Sequence, residues 1–154
     1  TNLSLWAAQG ATGPQGPAGS ATRSTVTQTT GTLANNATEN NTVALAKSFA
    51  VLEVNVSAPC RIRLYSTAAA RTADASRAAT TPPTAGTAHG VIMDLVITST
   101  LAGGSFPFTW LMSPEASGAN CESSPSSAIS YAITNQSGTS AVITVIFTYL
   151  GEET

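Results

Sequence analysis

The 154-residue chain is long enough to bury one hydrophobic core, and its 42% hydrophobic content is ordinary for a soluble globular domain. Only 9% of its residues are charged, against roughly 25% in such domains. Ser, Thr, Ala, Asn and Gly must therefore cover the surface, a mixture suited to contact with other copies of a protein. Six basic and eight acidic residues give a net charge of −2 and exclude a phosphate-binding face, so nucleic acid is not an expected partner.

The first nine residues carry Leu3, Leu5 and Trp6 with no domain of their own to bury them. Exposed large apolar side chains mark docking surfaces, so residues 1–9 read as an anchoring peptide inserted into a larger assembly. The competing reading is a tail folded back on its own oligomer. Gly10, Gly13, Gly16 and Gly19 then recur at a strict period of three, with Pro14 and Pro17 directly after two of them. Three polyproline-II chains can share an axis only if every third residue lacks a side chain, and proline presets the backbone angle they need. Residues 10–21 therefore read as a short collagen-like stalk of about 35–40 Å that joins three chains, with a flexible Gly/Pro linker as the alternative. Four triplets are too few to hold together unaided, so a trimeric head, residues 22–154, must supply the association.

From residue 24 onward the pattern is of strands and turns. Residues 24–30 are Thr-rich and β-prone. Residues 31–41, with two Asn-Asn pairs, read as turns around one short strand, and Val43 opens the next. In residues 48–57, Ala50, Leu52, Val54 and Val56 fall on one face against Glu53 and Asn55. After Pro59, Ile62 and Leu64 face inward against Arg61, Arg63 and Tyr65, so that the two strands read as a hairpin and the two arginines as a solvated or interfacial face. Residues 68–79 have the chain's best helical propensity and lead into a Pro82-Pro83 loop. Val91, Met93, Leu95 and Ile97 alternate against Asp94, and Phe106, Phe108, Trp110 and Met112 keep the same period, with Pro107 pointing to a sheet edge. A polar loop over residues 113–127, a strand with Ile129, Tyr131 and Ile133, a turn over 135–138 and a final strand over 141–150 complete the head. The expected fold class is all-β, an antiparallel jelly-roll-like β-sandwich. The last strand is apolar on both faces, which predicts cover by the opposing sheet on one side and by a neighbouring subunit on the other.

Signals for chemistry are sparse. His89 is the only histidine, no Gly-x-Ser-x-Gly or phosphate-loop motif occurs, and Glu39, Glu53, Asp74, Asp94, Glu115 and Glu122 are scattered singly. No enzyme activity, cofactor or metal site is expected. Cys60 and Cys121 match no metal spacing and are expected as free thiols. The longest apolar stretch, residues 141–150, falls short of the ~20 residues of a membrane span. The most distinctive polar cluster is Arg71, Asp74 and Arg77, spaced by threes, which reads as a polar brace pinning a loop or bridging subunits. The aromatics Tyr65, Phe106, Phe108, Trp110 and Tyr131 read first as core and second as a sugar-stacking platform.

The run Leu64-Tyr65-Ser66-Thr67-Ala68-Ala69-Ala70-Arg71-Thr72-Ala73-Asp74-Ala75-Ser76-Arg77, after a collagen-like leader and before the strand at 141–150, resembles the C-terminal domains of small collagen-like virion proteins of tailed bacteriophages, including phages of cyanobacteria. The resemblance spans residues 10–150. It implies a structural virion protein: a short homotrimeric fibre on tail, baseplate or capsid, assembled in the host cytoplasm and attached to other virion proteins through its N-terminal peptide. The alternatives are an adhesion module for a host-surface receptor or glycan and a capsid decoration protein. A collagen stalk before a β-sandwich also looks like the plan of C1q/TNF-like trimers and spore-surface collagen-like glycoproteins, in architecture only.

Overall fold

The computed structural model describes residues 23–84 and 89–153. The anchoring peptide at 1–9 and the stalk at 10–21 lie outside the described residues. Eight strands follow one another: β1 Arg23–Leu33, β2 Thr38–Ala44, β3 Ser48–Val56, β4 Cys60–Tyr65, β5 Val91–Ile97, β6 Phe108–Ala119, β7 Ala128–Asn135 and β8 Ala141–Glu153. One short helix, α1 Ala68–Ala73, sits between β4 and β5. The strands form two antiparallel four-stranded sheets, in the orders β1-β8-β3-β6 and β2-β7-β4-β5. The expected all-β antiparallel class is thus borne out.

Only β4 and β5 are neighbours both in sequence and within a sheet; every other link crosses from one sheet to the other. The reason lies in the inward faces. Phe49, Val51, Val54, Val56, Ile143, Val145 and Phe147 from one sheet and Val43, Ile62, Leu64, Met93, Ile97, Ile129, Tyr131 and Ile133 from the other form a single buried cluster. β3, β4, β5, β7 and β8 present nearly continuous apolar faces to that shared interior, while the edge strands β1 and β2 add Val26 and Val43, and burial at about 25 cal/mol per Å² is the main force holding the sheets together.

Four sequence expectations are corrected. The strands at 48–57 and 60–66 are not a hairpin, because β3 and β4 belong to different sheets. Their short link is fastened on both sides instead: the Ser57 amide donates to the Thr144 carbonyl at 3.0 Å, and the Pro59 carbonyl accepts from the Gln136 amide at 3.0 Å. The alternation assigned to β3 also breaks midway. A register shift between Val51 and Glu53 places Phe49 and Val51 inward together with Val54 and Val56, and leaves Leu52 at the irregularity. The first part of the expected 113–127 loop is strand. β6 runs on to Ala119, with Ala116 to Ala119 paired to Val51 through Ser48. Met112, Ser113, Pro114 and Glu115 all stand opposite Leu52 alone, a four-against-one bulge that an edge strand can accommodate and that places Pro114, with no N–H, where no ladder bond is required. Finally, Asn40 and Asn41 are not a turn but pair with Ala132 and Tyr131 in the edge strand β2.

Two asparagines organise the ends. Asn36 turns β1 into β2 with φ of 65°, a conformation asparagine tolerates better than most residues. Asn135, fully buried, donates through Nδ2 to the carbonyls of Leu33 and Thr139, both at 2.8 Å, and accepts the Ser137 amide at 2.9 Å. One side chain thereby ties the β1–β2 turn to the β7–β8 turn.

Replacing fully buried Phe147 by Ala should lower the free energy of unfolding by about 3–5 kcal/mol. Leu111→Ala, at a side chain 69% exposed, should change it by no more than about 0.5 kcal/mol. Urea denaturation followed by intrinsic fluorescence measures both.

Candidate functional site

The polar cluster of the chain is built on the outward face of β4. Because side chains alternate along a strand, turning Ile62 and Leu64 into the core turns Arg61, Arg63 and Tyr65 out. They do not reach solvent. Arg61 and Arg63 are 5% and 3% exposed and Tyr65 is fully buried, so the expected solvated face is corrected to a covered one. The cover is α1 and the turn that follows it. Thr67 caps the helix, its Oγ1 accepting the Ala70 amide at 3.0 Å, and after Ala73 the chain bends so that Asp74 and Arg77 drop onto β4.

Antiparallel pairing sets Asp94 of β5 opposite Arg63. It is Arg61, two residue pairs along, that takes it in a fork: Nε to Oδ1 at 2.8 Å and Nη2 to Oδ2 at 2.7 Å. Arg77 then bridges the two carboxylates, contacting Asp94 Oδ2 at 2.7 Å through Nη2 and Asp74 through both Nε and Nη2. Arg63 reaches Asp74 Oδ2 at 3.3 Å, and the Tyr65 hydroxyl donates to the same oxygen at 2.8 Å. Arg61 and Arg63 also donate to the carbonyls of Arg77 and Asp74, at 2.8 and 3.1 Å, so the turn is held by its backbone as well as by its charges. One buried atom, Arg63 Nε, has no partner among the described residues.

Electrostatics follow from the geometry. Burial works to raise the carboxyls of Asp74 and Asp94. Hydrogen bonds from Arg77 and Tyr65 to the first, and from Arg61 and Arg77 to the second, outweigh it and hold both below the ordinary carboxylate range. The Tyr65 phenol is pushed up by burial and by its bond to Asp74, and the Cys60 thiol is pushed up to about 12 by burial. Both carboxylates therefore remain ionised at neutral pH with all four oxygens engaged. Such groups hold position; they do not exchange protons near pH 7. Two clefts of about 260 and 350 Å³ flank Pro83 and share Arg77, the first with Asp74, Ser76 and His89 at its wall, the second with Asp94 and Val96. Among the described residues, no three His, Cys, Asp or Glu side chains come together as metal ligands.

The expected Arg71, Asp74 and Arg77 brace forms in two of its three members. Arg71 turns away and donates to the Asn41 carbonyl on β2 at 2.7 Å, fastening the helix to the sheet edge. Arg61, Arg63, Tyr65 and Asp94 complete the cluster instead. Asp74 and Asp94 lie twenty residues apart in sequence yet share one guanidinium. Tyr131 and Tyr65 are buried, while Phe106, Phe108 and Trp110 pack against the core, the latter two with ring centroids 6.5 Å apart at 44°. The core reading of the aromatics holds. Both thiols are free, Cys60 buried and Cys121 exposed.

The fold and cluster together define a two-sheet all-β protein braced by a buried arginine–aspartate network. No family model and no curated protein matches the chain. Among solved structures it is similar, over 86% of its length, to a chain in the atomic structure of Sulfolobus Turreted Icosahedral Virus, at 18% identity and a TM-score of 0.42. It spans 31% of that chain's length. No described helix is long and apolar enough to cross a membrane.

Asp94→Ala leaves buried Arg61 without its carboxylate and Arg77 with Asp74 alone, and should lower stability by about 3 kcal/mol. Because the Asp74 and Asp94 carboxyls titrate lower in the folded chain than in the unfolded one, their contribution is complete above the ordinary carboxylate value and is lost as pH falls through the depressed folded values. Thermal melts from pH 7 down to pH 2 should therefore show a decline below about pH 4 that is shallower in Asp94→Ala than in the parent.

Proposed function

We propose that the chain is a structural subunit of a virus particle: a short trimeric fibre whose N-terminal peptide seats in the particle and whose β-domain is a jelly roll carried outward on a collagen-like stalk. One observation carries the reading. The period-three glycines end at Gly19, and β1 opens at Arg23, so the segment whose grammar calls for three chains feeds directly into the first strand of the head. The strand orders β1-β8-β3-β6 and β2-β7-β4-β5, with nearly every link crossing between sheets, support the jelly-roll reading, an architecture built from two interlocked Greek keys.

The polar cluster fits the same role. Ionised carboxylates saturated by guanidinium groups rigidify a head whose surface otherwise has few charges to order it. Leu3, Leu5 and Trp6 supply the attachment. Each buried apolar side chain contributes about 1.5–3 kcal/mol, and three linked copies raise apparent affinity by roughly 10²–10⁴ over one.

The solution mass of the full chain should equal three copies at micromolar concentration, and changing Leu5 and Trp6 to Ser should leave that trimer intact while abolishing its incorporation into particles. Undiminished incorporation would transfer the attachment to the head and favour a decoration protein.

A further inference from the structure

The two sheets differ in what lies over their outer faces. That of β2-β7-β4-β5 is closed by α1, the following turn and the arginine–aspartate network. That of β1-β8-β3-β6 has no such cover among the described residues. The register sets its rows: Thr29 beside Thr144; Thr27, Ile146, Asn55 and Thr109 side by side; then Thr25, Thr148, Glu53 and Leu111; then Leu150, Ala50 and Ser117. Charges on it are few: Glu53 in its middle, Arg23 beside Leu150, Glu115 in the β6 bulge and the Glu152–Glu153 end at its rim; Ala50 and Thr148 are already buried within the single chain.

Three properties make this face suited to burial. Exposed large apolar side chains are few in the described residues, namely Leu101, Leu111 and Val142, and two of them stand here, at 69% and 48% exposure. Two pairs of its polar groups already satisfy one another sideways: the Thr29 and Thr144 hydroxyls lie 3.3 Å apart, and Asn55 Nδ2 donates to Thr109 Oγ1 at 2.7 Å. Covering such pairs costs little, since their hydrogen bonds need not be broken. The chain that carries the period-three glycines enters the head at Arg23, the first residue of the edge strand of this same sheet.

We infer that the outer face of the β1-β8-β3-β6 sheet is the surface by which three copies of this chain bind one another. The inference rests on the trimeric reading above and names its contact. Leu111 lies on the edge strand β6, whereas Val142 lies on β8 beside β1, beyond the stretch where β8 pairs with β3. A three-fold ring joins unlike patches head to tail, so the Leu111 side of one copy meets the Val142 side of the next. Three chains that turn this face inward bring their three Arg23 positions to one end, where the leaders can share an axis.

The experiment measures the sedimentation mass of the full-length protein and of two variants, with circular dichroism as the check on folding. Leu111→Glu combined with Val142→Glu should convert the trimer to a folded monomer and raise the dissociation constant at least 100-fold. Leu101→Glu, exposed but off this face, should leave the trimer unchanged. A folded double variant that remains trimeric overturns the assigned face and spares the trimeric reading, and so does dissociation of the Leu101 variant. A monomeric parent protein overturns both, leaving the face to a different partner. Should the double variant misfold, Leu111→Cys with Val142→Cys, in a Cys121→Ser background, decides. The two positions are separated by six residues along the ladder, about 20 Å at 3.3 Å per residue, too far for an intramolecular disulfide. Mild oxidation should give covalent dimers and trimers, and an oxidised protein that runs only as monomer overturns the inference.

Discussion

β4 is buried along its whole length and on both faces, and the remainder of the β-domain is arranged to make that tolerable. Inward, Cys60, Ile62 and Leu64 meet the apolar interior, where burial alone is favourable. Outward, the same strand places two guanidinium groups and a phenol under cover, where burial without partners would cost several kcal/mol each. Asp94 is supplied by the adjacent strand, and Asp74 and the bridging Arg77 by the segment after α1. The helix and its following turn therefore answer a demand created by the alternation of one strand. Removing that segment would expose the arginines; removing the arginines would leave the segment with few ties, since α1 buries no residue of its own.

This division gives the two sheets different characters. The sheet holding β4 is finished on its outer side by ionic bonds with fixed geometry, which confer rigidity and a unique arrangement. The other sheet ends in a Thr-rich, sparsely charged surface on which Thr29 pairs laterally with Thr144 and Asn55 with Thr109. The low overall charge of the chain is thus concentrated rather than evenly spread: Arg61, Arg63, Asp74, Arg77 and Asp94 are withdrawn into the network, so the surface holds even fewer charges than the composition implies.

Much of the fold was legible because strand parity is a strong signal. The inward positions of β4, β5 and β7, the helix at 68–73, the turn at 135–138 and the edge position of β6 all follow from period-two apolar residues, proline or helical propensity. What was not legible depended on partners distant in sequence. The break in β3 parity comes at Leu52, where the register shifts against both neighbouring strands, β8 and β6, and no local pattern announces it. The hairpin expectation failed because two alternating strands joined by a short turn look alike whether they pair or face each other across a core. At the polar cluster, spacing by threes brought Asp74 and Arg77 together. It also suggested Arg71, which the helix directs to β2 instead, and it was blind to Asp94, whose place is set by cross-strand register.

The bulge in β6 also governs how the protein behaves when many copies are made at once. An open sheet edge is a template on which another chain can add a strand, and then another, without limit. Along β6 the template is interrupted: four residues stand opposite one, Pro114 offers no donor, and the spacing of the backbone groups no longer matches a straight strand. Newly made chains crowded together therefore cannot grow an endless ribbon along this side. Contact through a broad sheet face saturates once a closed set of neighbours is in place, whereas contact through an edge does not, so this irregular strand biases crowded chains toward finite assemblies and away from insoluble aggregates.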